Sequence, residues 1–443
     1  MTNMTLAQFI QRPEPKYQWH CTDKRHSEEF PNIEILQLEL TSQCWLEGER
    51  RGIDQPLWVH RLTLYLPTRQ KAFKPCLLMV HGGYRHNPEM ETAPSAQVDA
   101  AKVCYDTQAP VACLRDVPNQ PQIIDGIPRT EDDLVAWSWQ QFLQTEKKEG
   151  GYLLQWPMVK SIIRAMDALE ECCNQRIPSF IVAGASKRGW ISWLAASCDQ
   201  RISAIIPIVI DVLNIKQCME HHLQVYNGWA EAIADYTDPD HDILADLESE
   251  EMDTLLLQVD PFNHRQQLSL PKFIVNASCD EFFPPDSAQF YYHQLPGFSA
   301  LRYLPNASHY LGLDASVCIT EVITSCFGSM ADQKTMPEMN WQSTDKGIAI
   351  DVDQAPLSAC VWLCHNPEQR DFRKITPAQP KYAYQARPLE AQSVNPWRFH
   401  YNPKLPSKGW IAFFIELRFD NGTYPDLVYT SGVKVLPDCY PDQ

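Results

Sequence analysis

Phe180-Ile181-Val182-Ala183-Gly184-Ala185-Ser186-Lys187-Arg188-Gly189-Trp190 is the stretch that decides the reading of this chain. An apolar run breaks at a serine preceded by glycine and passes into helical spacing, which predicts strand, sharp turn and helix. A serine in such a turn is lifted off the C-terminal edge of a sheet. Its hydroxyl is exposed, and the N–H groups that follow it are directed at whatever it attacks. Gly184 and Ser186 match the pattern G-x-S-x-G; Arg188 stands where the second glycine belongs, and Gly189 comes one residue late.

This is the pattern of the nucleophile elbow of α/β-hydrolases, which carry their triad in the chain order Ser, acid, His. The order is met here. Lys272-Phe273-Ile274-Val275-Asn276-Ala277-Ser278-Cys279-Asp280 reads as a strand ending in a carboxylate, and Leu301-Arg302-Tyr303-Leu304-Pro305-Asn306-Ala307-Ser308-His309 as a strand followed by a histidine. Loops outside the carboxyl ends of parallel strands converge on one rim, so Ser186, Asp280 and His309 form the expected triad. Asp211, just past the apolar run Ile205–Ile210, is the rival acid. Glu281 lies beside Asp280 and is expected to point elsewhere.

Two donors are expected for the oxyanion: the backbone N–H of Lys187 and the loop His81-Gly82-Gly83-Tyr84, where Gly82 and Gly83 let the backbone approach substrate. Tyr84, Tyr226 and Trp229 are the expected substrate contacts. The Lys187 side chain, placed by this reading on an exposed turn, is left open between a solvated rim charge and a cation acting on the substrate.

At 443 residues the chain is long for one domain, and two are expected: an α/β-hydrolase domain over 1–331 and a β-sandwich of immunoglobulin or fibronectin type over 332–443. The alternating runs Ile33–Leu40 and Trp58–Leu66 suit half-exposed antiparallel strands. Cys76–His81 and Val111–Leu114 read as buried parallel strands, and Pro157–Cys173 as an amphipathic helix. Alternation of strand and helix predicts a doubly wound, mostly parallel sheet. From about Val212 to Phe262 the strand pattern lapses, which predicts a helical cap insert. It carries a run of acids from Asp240 to Asp253 and the pair His221-His222, read as packing or surface residues because adjacent helical positions point apart. Gly347–Val352, Ser358–Leu363, Trp410–Phe419 and Val433–Pro437 predict the C-terminal strands.

The 55 acidic against 38 basic residues give a net charge of −17, which argues against nucleic acid or an anionic membrane as the main partner. No stretch reaches the roughly 20 apolar residues of a membrane span. The 15 cysteines are scattered without zinc-ligand spacing, and the expected chemistry uses no metal and no cofactor. Cysteines inside apolar strands fit a reducing compartment. The first residues lack the basic start and apolar core of a signal peptide, so the expected location is cytoplasmic, or exported without a classical signal.

The chain also resembles the PhoPQ-activated pathogenicity-related proteins. The resemblance rests on Trp156-Pro157-Met158-Val159-Lys160 with Arg164-Ala165-Met166-Asp167, on Gly184–Trp190, and on Asp280-Glu281-Phe282-Phe283-Pro284-Pro285-Asp286. Pro305–His309 and Arg370-Asp371-Phe372-Arg373 extend it over nearly the whole chain. It implies an α/β-hydrolase-like domain and a virulence-linked setting, and it makes Arg188 part of the family pattern. The expected activity is hydrolysis of an ester or related acyl substrate, small-molecule or peptide. A peptidase of prolyl-oligopeptidase type and a noncatalytic binding or signalling protein are the alternatives.

Overall fold

A computed structural model of the chain describes residues 4–46, 53–68, 74–85, 97–145, 149–238, 242–311, 318–374 and 382–441. Two compact units are formed. The first comprises Met1–Ala93, Asp99–Pro207 and Ile233–Leu268; the second comprises Pro94–Val98, Ile208–Ala232 and Ser269–Gln443.

The first unit is built on a twisted sheet of β1 (Gln18–His26), β2 (Ile33–Cys44), β3 (Leu57–Pro67), β4 (Cys76–Val80), β5 (Val111–Leu114), β8 (Phe180–Ala185) and β9 (Ile202–Ile208), after the short hairpin β6 (Gln122–Ile124) and β7 (Ile127–Arg129). The strands of the sheet run in the order β1-β2-β3-β5-β4-β8-β9. β1, β2, β3 and β5 pair antiparallel, and pairing turns parallel from β5 through β4 to β8. The sequence pattern changes at the same place. β3 alternates buried Trp58, His60, Leu62 and Leu64 with part-exposed neighbours, whereas every residue of β4 and β5 is buried, as expected for strands covered on both faces. The covering helices are α1 (Leu6–Gln11), α2 (Ala100–Thr107), α3 (Glu131–Gln144), α4 (Gln155–Cys172) and α5 (Lys187–Ala196). Trp156 of α4 is fully buried, its ring 5.6 Å from Phe9 of α1. The hairpin β6–β7 turns on Asp125 and Gly126, both at positive φ, as a two-residue turn requires.

The second unit begins its sheet structure with the parallel pair β10 (Lys272–Ala277) and β11 (Ser299–Leu304). Two antiparallel sheets follow. One takes the order β12 (Met339–Ser343), β13 (Ile348–Val352), β17 (Trp397–Tyr401), β16 (Ser393–Val394); the other runs β15 (Gln385–Pro388), β14 (Ser358–Asn366), β18 (Trp410–Phe419), β19 (Leu427–Thr430), with β20 (Lys434–Leu436) on β18. Tyr401 of β17 meets Phe413 of β18 edge to face at 5.8 Å, a contact that joins the two sheets in a sandwich. β18 is buried without interruption from Ala412 to Ile415 because its other face is also covered: Phe414 packs against Tyr303 of β11 and against Tyr384.

Within 212–262 lie the helix Ile215–Tyr226 in the second unit and the helix Glu250–Val259 in the first, with a short 3-10 segment Glu231–Tyr236 and non-helical turns between them. Asp240 lies outside the described residues. No helix among the described residues is long and apolar enough to cross a membrane. All fifteen cysteines are free thiols.

Candidate active site

Ser186 sits between β8 and α5 at φ 56°, ψ −129°, a conformation that costs a non-glycine residue about 1–3 kcal/mol. The turn is that tight because the first turn of α5 folds back on the end of β8. A Cβ at Gly184 would lie 2.6 Å from the carbonyl carbon and oxygen of Arg188 and 2.9 Å from its Cβ. Positions 184 and 188 therefore face each other, and a glycine at the first leaves room for a side chain at the second. That is why Arg188 is tolerated where the motif has glycine. Ser186 caps no N–H with its side chain, so the first N–H groups of α5 lack that partner.

Around the elbow the first unit carries an ion cluster. Lys187 and Arg188 are both buried rather than solvated. The Lys187 ammonium lies 2.8 Å from Glu131 Oε2 and 3.0 Å from Asp132 Oδ2, and the Arg188 guanidinium clasps both Glu131 oxygens at 2.7 Å. The reading of Lys187 as a rim charge on an exposed turn is thereby corrected: its long stem lies inward, and two carboxylates compensate its desolvation. Burial alone would raise the Glu131 carboxyl, but Arg188 and Lys187 together hold it well below the usual carboxylate range. Gly82 and Gly83 follow β4. A Cβ at Gly82 would meet Arg188 Nη2 at 2.5 Å; one at Gly83, where φ is +148°, would meet Asp116 Oδ1 at 2.3 Å. Tyr84 is part-exposed beside them. Sequence reading missed Glu131, and the acidic start Glu131-Asp132-Asp133 of α3 was the only signal for it.

In the second unit, β10 and β11 run parallel with Ala277 opposite Leu304, and their following loops are tied together. Asn306 N–H donates to Ser278 Oγ at 2.8 Å and Cys279 N–H to Ala307 O at 3.0 Å. These bonds bring Asp280 and His309 to the same place. His309 Nδ1 lies 2.9 and 3.1 Å from the two Asp280 oxygens, both side chains being buried. Phe282 N–H donates to Asp280 Oδ1 at 2.8 Å, and the Phe282 ring packs 4.2 Å from the imidazole. Glu281 turns the other way, accepting the backbone N–H of His309 at 2.7 Å.

Asp211 is engaged elsewhere. Its oxygens accept the hydroxyls of Tyr291 (2.6 Å) and Tyr303, and burial pushes its carboxyl up to about 7. Tyr226 and Trp229 pack on His222 at 4.9 and 5.7 Å between ring centres, and the Arg373 guanidinium lies 3.9 Å above the Tyr226 ring. His222 Nε2 accepts Ala230 N–H, whereas His221 bonds Asp286 through Nε2 and the Tyr440 hydroxyl through Nδ1. The two imidazoles thus have separate partners. Arg370 completes a buried pair with Asp286 at 2.7 Å, a contact that sequence reading did not assign.

A sheet that turns parallel at its centre, a serine in the sharp turn between the parallel strand β8 and α5, and helices between strands define an α/β-hydrolase fold. The acetyl xylan esterase from Paenibacillus sp. R4 has a similar structure, with a TM-score of 0.50 at 14% identity over 76% of this chain and 96% of that one. The family model of the PhoPQ-activated pathogenicity-related proteins matches residues 6–373. The autocrine proliferation repressor protein A of Dictyostelium discoideum is 31% identical over 462 residues, 98% of this chain and 91% of that protein. The chain belongs to the PhoPQ-activated pathogenicity-related family.

Proposed function

We propose that this protein is a serine hydrolase that cleaves a carboxylic ester or related acyl bond. Ser186 is the nucleophile, His309 the general base and then acid, and Asp280 the group that orients the imidazole. The observation that carries the reading is the His309–Asp280 pair. With Nδ1–H held by a carboxylate, Nε2 is the nitrogen left to take a proton, and the carboxylate stabilises the imidazolium that results. The strained backbone at Ser186 supports the same role, since a packing serine has no need of it.

In the reaction, Ser186 Oγ bonds to the substrate carbonyl carbon as its proton passes to His309 Nε2. The oxyanion is received by the Lys187 N–H and by the backbone at Gly82 and Gly83. Collapse breaks the bond to the leaving alcohol, which departs with the proton from His309, and water repeats the sequence on the acyl-enzyme. Tyr84, Tyr226 and Trp229 are the proposed substrate contacts. Purified protein incubated with short-chain p-nitrophenyl esters, with Ser186→Ala alongside, tests this. Turnover by the wild type and its loss of several orders of magnitude in the variant are expected.

One observation favours a second reading. The relative at 31% identity over nearly the whole chain is described as a proliferation repressor, and a hydrolase scaffold can serve binding alone. On that reading Ser186→Ala would keep biological activity.

A further inference from the structure

Glu131 joins the two backbone segments that the proposed oxyanion hole requires side by side. Its carboxylate accepts from Arg188 Nη1 and Nη2 at 2.7 Å, from Lys187 Nζ at 2.8 Å and from Gln120 Nε2 at 2.5 Å. Gln120 Nε2 also donates to Gly83 O at 3.2 Å, and its Oε1 accepts the Glu131 N–H at 2.8 Å. Arg188 fills the space above Gly82 and donates from Nε to Val117 O at 2.6 Å. Lys187 and Arg188 are the two residues directly after Ser186, and Gly82 and Gly83 form the loop after β4. One carboxylate therefore grips the first turn of α5 directly. Through Gln120 and Arg188 it also grips the glycine loop.

The arrangement is costly, which argues against a helix start that is merely convenient. Glu131 stands at φ +49°, in the left-handed region that a β-carbon disfavours. Thr130, the N-cap of α3, makes no side-chain capping bond, so the helix end is not what the geometry serves. Strain and desolvation of this kind persist where the surroundings over-determine them, and they cluster at functional sites.

We propose that Glu131 is a positioning residue that sets the spacing between the two halves of the oxyanion hole, a role that rests on the serine-hydrolase reading above. Oxyanion donors act only within about 2.7–3.1 Å of the place where charge develops, and one donor is worth roughly 10²–10³-fold in kcat. A carboxylate that fixes both donors therefore acts on the transition state while touching no substrate atom.

The test uses the full chain with Glu131→Gln and with Gln120→Leu, the second leaving the ion pairs of Glu131 with Lys187 and Arg188 in place. Steady-state hydrolysis of p-nitrophenyl acetate, the rate of labelling by a fluorophosphonate and thermal unfolding are measured together. The expected result is a kcat lowered by about 10–100-fold with KM within about threefold of wild type, and labelling slowed in parallel. Folded variants whose kcat stays within about twofold of wild type would overturn the role, as would an effect confined to the unfolding temperature. If Glu131→Gln does not fold, Gln120→Leu decides by the same criteria. A wild type that is neither labelled nor active removes the hydrolase reading itself, and this inference with it.

Discussion

His309 turns Nδ1 to Asp280, at 2.9 and 3.1 Å from its two oxygens, while the competing carboxylate of Asp211 receives two tyrosine hydroxyls. The pairing follows from chain geometry, since parallel strands in register with stitched loops deliver residues 280 and 309 to one point. Asp280→Asn is expected to favour the wrong imidazole tautomer and to lower ester kcat by about 10⁴-fold. Asp211→Asn should cost less than about tenfold, and steady-state rates of both variants on one p-nitrophenyl ester check the contrast.

Asp211 instead governs a pH dependence of stability. Its carboxyl, near 3.8 when unperturbed, is pushed up to about 7 by burial. Between those values the folded chain holds a proton that the unfolded chain has lost, so this group's contribution falls as pH rises from about 4 to 7 and then levels off. The difference corresponds to roughly 4 kcal/mol as an upper figure. Urea unfolding at pH 4.5 and 7.5 should show wild type losing more stability across the interval than Asp211→Asn; equal changes would contradict the assignment.

Lys187 is expected to matter for folding as well as for chemistry. Lys187→Ala keeps the backbone N–H but leaves Glu131 and Asp132 short of a buried cation, which should lower stability by about 2–4 kcal/mol. Chemical denaturation measures it, and a change below about 0.5 kcal/mol would show the cluster to be slack.

Gly184 and Gly126 offer a contrast of space against backbone conformation. A methyl at Gly184 meets the Arg188 backbone at 2.6 Å, so Gly184→Ala should cost about 3 kcal/mol or prevent folding. Gly126→Ala meets nothing within 4 Å and pays only for φ +80°, about 1 kcal/mol. Thermal unfolding of the two variants side by side checks the ranking.

The strand-end positions of Ser186, Asp211, Asp280 and His309 were legible because each follows an apolar strand, and a strand end places a residue without help from distant sequence. The change from alternating Trp58–Leu66 to continuous Cys76–Val80 gave the antiparallel flank and the parallel centre of the sheet for the same reason. The exposed strand Gln18–His26 was not legible, since an outer strand with few buried residues carries little hydrophobic signal. The short pieces Gln385–Pro388 and Ser393–Val394 were missed likewise. The inward course of Lys187 could not be read either, because its partners lie 56 and 55 residues away and only the fold brings them near. Arg188 was legible as a departure from the motif, but its reason, the close approach of Gly184, is a property of three-dimensional packing.

Covalent labelling distinguishes a Ser186 nucleophile activated by His309 from a serine that only packs. Wild-type protein, Ser186→Ala and His309→Ala are treated with a fluorophosphonate, digested, and the modified peptide is identified by mass spectrometry. A phosphonylated adduct on Ser186 is expected in the wild type, none in Ser186→Ala, and labelling slowed by at least about 10³-fold in His309→Ala. Folded wild-type protein that carries no adduct on Ser186, or that labels equally fast without His309, would contradict it.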